Sequence, residues 1–411
     1  LLYSISIDDF GPLSVERPKS VAECGEIIRR IGVENRAIYP VGGGTMLGFG
    51  LTPTKQGIAV DLRDLNQMID YPARDMTITV QAGITVERLQ EVLKSEGQQL
   101  PVDVPLPERA TLGGAIATNV SGPRRLGYGT LRDYVIGISV LNDRGEEVKG
   151  GGRVVKNVAG YDFMKLYTSS LGTLGIITQI TLKVKPLPEA ASVVTLPCTS
   201  DNLVEVLRRI ANSATRPTMV SVANASAAAL VGSNSPAYSV AVGYEEKAAT
   251  VAWQVSKLNT ELPAELTSRA SEFQGDLAGK LVRQWTGFPL AAQRGLTFKA
   301  NLLPAATAEF LIRADRLAPR PALLAHAANG IVFGHLPEET TLDQAKAIIV
   351  ELTQHAVMQK GNVVITRCPA AWKAVLPVWG MSTPDRVLMR AVKNKLDPSD
   401  VFNPGRFVDG I

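Results

Sequence analysis

Between residues 18 and 31 apolar side chains recur with a helical period. Val21, Cys24, Ile28 and Ile31 share one face. Ser20 and Glu23 stand at capping-box spacing, so a helix is predicted there. The period then shortens. Residues 37–41, 58–61 and 77–80 run apolar or alternate and read as strands. Thr85 is placed to cap a helix carrying Val86, Leu89 and Leu93, which ends near Gly97. Residues 134–141 predict a strand followed by the turn Asn142-Asp-Arg-Gly145, and residues 175–184 predict another. Pro186-Leu-Pro188 then punctuates the chain. Beyond it short strands (192–196, 218–222, 238–242, 296–302) alternate with helical stretches. One of these carries Leu203, Val206, Leu207 and Ile210; another, over 341–359, carries Ile348, Leu352 and Ala356. Residues 276–294 show no clear period and are expected to be loop with a short helix. The whole predicts an α+β protein with a boundary near 188.

Glycine interrupts the first half in a distinctive way. The predicted strand 37–41 runs into Pro40-Val-Gly-Gly-Gly-Thr45-Met-Leu-Gly48. Consecutive glycines bare successive N–H groups, and such a concavity suits a phosphate or pyrophosphate. The run is neither a Walker A loop, which needs Gly-Lys-Ser/Thr, nor a Rossmann Gly-x-Gly-x-x-Gly. Taken by itself it is equally well a tight turn. It is joined, however, by Thr111-Leu-Gly-Gly-Ala-Ile-Ala-Thr-Asn119-Val-Ser-Gly122 and by Ser170-Leu-Gly-Thr-Leu-Gly-Ile176-Ile177. Small residues there let backbone approach an extended ligand. Three such segments predict a large cofactor containing a pyrophosphate.

Composition narrows the class. The 411 residues are 45% hydrophobic and 20% charged, ordinary for a globular chain of two or three domains. A net charge of +4, with no basic block, gives no footprint for nucleic acid. No apolar run approaches the ~20 residues of a membrane helix, and the first ten residues lack the basic start of a signal peptide. Cys24, Cys198 and Cys368 are scattered and form no Cys-x-x-Cys pair, so zinc and iron–sulfur sites are not expected. Sparse cysteines suit a reducing cytoplasm. Three histidines, His326, His335 and His355, leave little from which to build a metal site, and none is predicted.

Taken in order, these motifs resemble the FAD-binding domain of the vanillyl-alcohol oxidase superfamily, also called PCMH-type. The further elements are Tyr128-Gly-Thr-Leu-Arg-Asp133, Gly160-Tyr-Asp162 and the tail Leu396-Asp-Pro-Ser-Asp-Val-Phe-Asn403-Pro-Gly-Arg406. The resemblance covers about residues 15–188 and 390–407. Lys156-Asn-Val-Ala-Gly-Tyr-Asp-Phe-Met-Lys-Leu-Tyr167 and Ser121-Gly-Pro-Arg-Arg125 are similar to the family of FAD-binding (E) subunits of glycolate oxidase. The larger D subunits and D-lactate dehydrogenases typically have Glu where this chain has Leu171.

The resemblance implies a PCMH-type domain of two α/β subdomains over 1–188. An α+β cap with an antiparallel sheet would follow over 189–385, and a tail, 386–411, would return to the first domain. Gly42, Gly43, Gly44 and Thr45, with Gly48 closing the loop, would serve the pyrophosphate. Thr111, Gly113, Gly114, Ala117, Ser121 and Gly122 would line the flavin and its ribityl chain. Gly172, Gly175, Ile176 and Ile177 would offer backbone contacts. The first loop has no His or Cys, so the FAD is expected to be non-covalent.

Oxidation of a 2-hydroxy acid needs a base or hydrogen-bonding group at the hydroxyl and a cation for the carboxylate. Arg124 and Arg125 are candidates for the carboxylate or a flavin phosphate, unless they are simply surface arginines. His326 and His335 resemble a reduced form of the family's histidine cluster, without its acidic residue and later Glu–His pair; otherwise they are partly buried histidines in strands. Arg283, Trp285, Arg294 and Lys299 are weaker candidates that no spacing singles out. Tyr161 and Asp162 fit a role in the fold better than one in the chemistry. The resemblance implies oxidation of glycolate to glyoxylate, with electrons passing to a second flavoprotein subunit and an iron–sulfur subunit. Such a complex would lie in the cytoplasm or peripherally on the inner face of the cell membrane. A stand-alone 2-hydroxy-acid dehydrogenase and a subunit that only holds FAD are the alternatives.

Overall fold

The computed structural model describes residues 4–153, 161–232, 235, 237–292, 294–381 and 383–411. Of the motif 156–167, residues 156–160, with Lys156 and Gly160, lie outside the described residues. The chain divides into two units. The first comprises residues 1–120, 130–187 and 382–411; the second comprises 121–129 and 188–381. The segment Ser121–Gly129, grouped from sequence with the first domain, therefore makes its contacts with the second.

Two sheets build the first unit. Strands β1 (Ser4–Ile7), β2 (Phe10–Glu16), β3 (Ala37–Val41) and β4 (Gly57–Asp61) form one, in the order β1-β2-β4-β3. β4 runs parallel to both β2 and β3. The helix Val21–Val33 links β2 to β3 and buries Cys24, Ile28 and Ile31 with Ile38, Ile58 and Val60. Ser20 Oγ accepts the Glu23 N–H as expected, while the Glu23 carboxylate accepts the N–H of Lys19. The second sheet joins β5 (Met68–Asp70), β6 (Thr77–Gln81), β8 (Val135–Leu141), β9 (Glu147–Gly151) and β10 (Ile176–Lys183) in the antiparallel order β5-β6-β10-β8-β9. The Thr85-capped helix Val86–Ser95 and the helix Leu112–Thr118 pack against it. A small ribbon pairs β7 (Gln98–Gln99) with β11 (Lys185–Pro186).

The C-terminal residues complete the first sheet. Ile38 donates its N–H to Val401 and accepts that of Asn403, so the tail runs beside β3. Phe402 is fully buried in the same core.

The second unit carries one eight-stranded antiparallel sheet. Its strands are β12 (Ala190–Cys198), β13 (Met219–Asn224), β14 (Tyr238–Glu246), β15 (Ser271–Gln274), β16 (Thr297–Asn301), β17 (Ala322–His326), β18 (Ile331–His335) and β19 (Asn362–Arg367). Their order is β15-β12-β14-β13-β17-β18-β16-β19. Helices Leu203–Ala211, Ala248–Glu261, Thr307–Ala314 and Leu342–Met358 bury one face, and Ala225–Leu230 and Gly275–Gly287 pack on the other. The last of these corrects the sequence reading of 276–294. Ala278, Leu281, Val282 and Trp285 form a helical stripe, which Gly279 and Gly287 disguise because glycine is a poor helix former.

Candidate functional site

In the first unit the glycine run leaves β3 and turns over the segment 109–111. A Cβ on Gly42 would lie 2.0 Å from Thr111 Oγ1, and one on Gly43 would lie 1.8 Å from the Arg109 carbonyl oxygen. These glycines are therefore required first by the contact between the two loops. Gly44 turns the chain with φ +68°, a left-handed conformation that glycine adopts without strain. The N–H groups of Gly42, Gly43, Gly44 and Thr45 make no hydrogen bond among the described residues. Free consecutive N–H groups of this kind suit an anion. Gly42, Gly43 and Gly44 border a cavity of about 410 Å³ lined also by Val41, Asp61, Arg63, Thr85, Glu108 and Arg109. Gly48 lies on the outer part of the same loop, half-buried.

The second segment is divided in its use. Thr111 caps the helix Leu112–Thr118 by accepting the Gly114 N–H, and Gly113 donates to Ala82. Gly113 is fixed by packing, since its Cβ would lie 2.7 Å from that of Ala82. Gly114 is exposed and Ala117 half-exposed, so these two positions of the helix are open to a ligand. Asn119 ends the helix with φ +49°, and its buried Oδ1 has no donor. Ser121 and Gly122 belong with the second unit.

The third segment serves the fold more than the sequence suggests. A Cβ on Gly175 would lie 2.7 Å from the Leu141 carbonyl. Ile176 and Ile177 pair with Leu141 and Val140 and are buried. Of the four residues read there as cofactor contacts, these three are held by sheet packing. Gly172, at φ +68°, packs beside Asn403 and Pro40. Asn403 donates to the Leu171 carbonyl at 2.6 Å. Arg406 donates to the carbonyls of Leu47, Phe49 and Leu51 at 2.5, 2.6 and 2.9 Å. The Asn403-Pro-Gly-Arg406 tail thus staples the loop that follows the glycine run, a role the sequence did not disclose.

The four catalytic candidates all lie in the second unit. Arg124 pairs with Glu245 at 2.9 Å, and the Tyr128 hydroxyl donates to the same carboxylate at 2.8 Å. Its charge is already balanced. His335 is buried. Its Nε2 hydrogen-bonds the Phe288 carbonyl at 2.6 Å, so Nε2 carries the proton, and Nδ1 accepts from the Thr297 hydroxyl at 2.9 Å. Both nitrogens are occupied by the fold, and none is left for a substrate. His326 differs: it is 1% exposed, and neither ring nitrogen has a partner among the described residues. Arg125 is half-buried on the short helix Arg125–Tyr128. No cluster of three His, Cys, Asp or Glu side chains suited to a metal occurs among the described residues.

Burial, then the charges of Lys299 and Arg125, push the His326 imidazolium down to about 3. The ring is neutral at pH 7. On acidification the unfolded chain takes up this proton first, near its ordinary value of 6.5. Stability present above pH 6.5 is therefore lost progressively toward pH 3. Burial holds His335 down as well and adds to the same slope. Urea unfolding at about pH 7, 5 and 4 is expected to show this decline and to show it reduced in His326→Gln. An unchanged slope would contradict the assignment.

Comparison with known proteins fits this geometry. Residues 12–151 match the family described as FAD binding domain. Over 136 residues the chain is 38% identical to glycolate oxidase subunit GlcE of Escherichia coli (strain K12), covering 33% of this chain and 39% of that protein. It is 36% identical over 178 residues to glycolate oxidase subunit GlcD of Bacillus subtilis (strain 168), covering 43% and 38%. It is also 36% identical over 196 residues to D-2-hydroxyglutarate dehydrogenase of Xanthomonas citri pv. viticola, covering 47% and 42%. The match thus spans about two fifths of each curated relative. Among solved structures, p-cresol methylhydroxylase with substrate bound aligns with TM-score 0.74 at 15% identity, over 96% of this chain and 88% of that one. Alkyldihydroxyacetonephosphate synthase aligns at 0.65 and 19%, over 96% and 77%. The fold is thus α+β with PCMH-type FAD-binding neighbours, and the matched domain supports FAD as the cofactor.

Proposed function

We propose that this chain is the FAD-binding subunit of a complex that oxidises a small 2-hydroxy acid, glycolate to glyoxylate. The observation that carries the proposal is the run of unpaired N–H groups at Gly42–Thr45 beside the 410 Å³ cavity, within the domain that matches FAD-binding relatives. Those donors fit a pyrophosphate, and the donorless Asn119 Oδ1 offers an acceptor. Bound FAD would supply the two-electron acceptor for oxidation of the alcohol carbon, with the hydroxyl proton going to a base. The chain's own residues hold the cofactor at Gly42–Thr45. Arg125 and His326 remain the candidates for substrate. Electrons would pass to a second flavoprotein subunit and an iron–sulfur subunit, as the GlcD and GlcE similarities suggest. No described helix is long and apolar enough to cross a membrane. We place the complex in the cytoplasm or peripherally on the membrane through partners.

Attachment of FAD is proposed to be non-covalent. The first unit contains no histidine, and its only cysteine, Cys24, is fully buried with its thiol pushed up to about 12. Precipitation in hot acid is expected to release all of the flavin; colour retained in the pellet would contradict this. A stand-alone dehydrogenase is the second reading, favoured by the comparable identity to D-2-hydroxyglutarate dehydrogenase. A subunit that only holds FAD is the third, favoured by the occupied nitrogens of His335. Anaerobic addition of glycolate separates them. Bleaching that needs the partner subunits supports the first, and bleaching by the chain alone supports the second. If the partners bleach equally well with this chain's flavin removed, the third holds.

A further inference from the structure

Three basic side chains of the second unit converge without an acidic partner. Ser221, His326, Phe333 and Lys299 lie on one face of the eight-stranded sheet. Ser221 pairs with His326 across β13 and β17, Leu324 with Phe333 across β17 and β18, and Phe333 with Lys299 across β18 and β16. The His326 and Phe333 rings are 5.5 Å apart, edge to face. Lys299 and His326 are two strands apart, about 10 Å between strand axes, a span that a lysine side chain crosses in large part. Arg125 approaches from the end of the sheet. Its helix packs on the start of β13, where Gly127 donates to the Thr218 carbonyl, and on the turn Ala327–Asn329 that follows His326.

None of these polar groups is satisfied internally. The side chains of Lys299 and Arg125 make no hydrogen bond or ion pair among the described residues. His326 has two idle ring nitrogens, and Ser221 Oγ, fully buried, has no partner. The charge acting on Lys299 is that of Arg125; burial first, and then this charge, push its ammonium down to about 8. Two cations crowded beside an uncharged histidine destabilise one another unless an anion joins them. Arg124, next in the chain, has Glu245 for this purpose; Arg125 and Lys299 have no such carboxylate among the described residues.

We propose that the second unit binds a small carboxylate between Arg125 and Lys299, over His326, and that Lys299 is a substrate-binding residue for the 2-hydroxy acid. The two cations suit the carboxylate, and the idle atoms of His326 and Ser221 suit an adjacent hydroxyl. The assignment to substrate rests on the proposed function; the anion site itself does not.

The test uses the full chain loaded with FAD and oxalate, a carboxylate that the enzyme cannot oxidise as a 2-hydroxy acid, followed by calorimetry. Lys299→Met and Arg125→Met are each expected to weaken oxalate at least about tenfold, while Lys299→Arg retains most of the affinity. Flavin affinity is measured in parallel and is expected to be unchanged. Loss of flavin in the wild-type chain would count against the FAD reading, whereas oxalate binding unaltered in both Met variants would overturn the carboxylate site. Inorganic phosphate binding more tightly than oxalate would also overturn it. In the wild-type chain, oxalate is expected to slow reductive methylation of Lys299 several-fold, read by peptide mass. An unprotected Lys299 would contradict the proposal without relying on any variant.

Discussion

Gly43→Ala is expected to abolish retention of FAD. The added Cβ would lie 1.8 Å from the Arg109 carbonyl oxygen, and that neighbour is backbone. Relief requires the loop 42–45 to move away from the segment 109–111 by more than an ångström, which displaces the free N–H groups together. Overpacking of this kind costs about 1–3 kcal/mol in a well-packed interior. The pyrophosphate would feel the displacement directly, and flavin affinity is expected to fall at least about a hundredfold, or ~2.7 kcal/mol. Quenching of FAD fluorescence on titration with apoprotein measures it. Gly32→Ala is the control: nothing lies within 4 Å of its added Cβ, and it sits in the helix Val21–Val33. It is expected to bind FAD normally and to be neutral or slightly stabilising, because alanine favours helix over glycine. Equal flavin binding by the two variants would show that the glycine run does not hold the cofactor.

Asp397→Ala is expected to be the most destabilising single change in the C-terminal segment. Lys393 and Asp397 stand one turn apart, 4% and 0% exposed, with 2.6 Å between Nζ and Oδ2. Lys393 also donates to the carbonyls of Thr173 and Phe402, at 3.0 and 2.9 Å. Asp397 accepts the N–H groups of Val401 and Phe402, at 2.9 and 2.8 Å. The pair therefore ties the helix Arg386–Leu396 to the tail and to the third glycine segment. Removing the carboxylate leaves a buried ammonium with only carbonyls and the exposed Asp400, 3.0 Å away. Breaking a buried pair from one side costs about 3–5 kcal/mol. Lys393→Met is expected to cost a similar amount by stranding the carboxylate. Chemical denaturation of the FAD-free chain measures both; a loss below about 1 kcal/mol in either would contradict this role.

Much of the fold was legible in the residues because it depends on local rules. The caps at Ser20 and Thr85 and the burial of Cys24 follow from spacing alone, whereas the cap at Thr111 is seen only in the structure. The three glycine segments are marked in the sequence as places of close approach, but not with their purpose. Gly42, Gly43, Gly113 and Gly175 are glycine because other parts of the chain occupy the space of a side chain, and no sequence pattern says which neighbour does so. Arg406 and Asn403 act on residues more than 200 positions away, a distance across which a single sequence carries no signal. Arg124 and Arg125 look alike as neighbours; only the fold gives one of them Glu245 and leaves the other beside Lys299. Lys299 was among the weaker candidates because its significance depends on the register of β16, β18 and β17.

The most direct test of the central claim is an anaerobic flavin titration. The chain is reconstituted with FAD, alone and with its partner subunits, and glycolate, D-lactate and D-2-hydroxyglutarate are added while the visible flavin band is followed. A stoichiometric flavin band that bleaches with glycolate in the presence of the partners is the predicted result. A chain that takes up no FAD, or bound FAD that none of the three acids reduces in any combination, would contradict it.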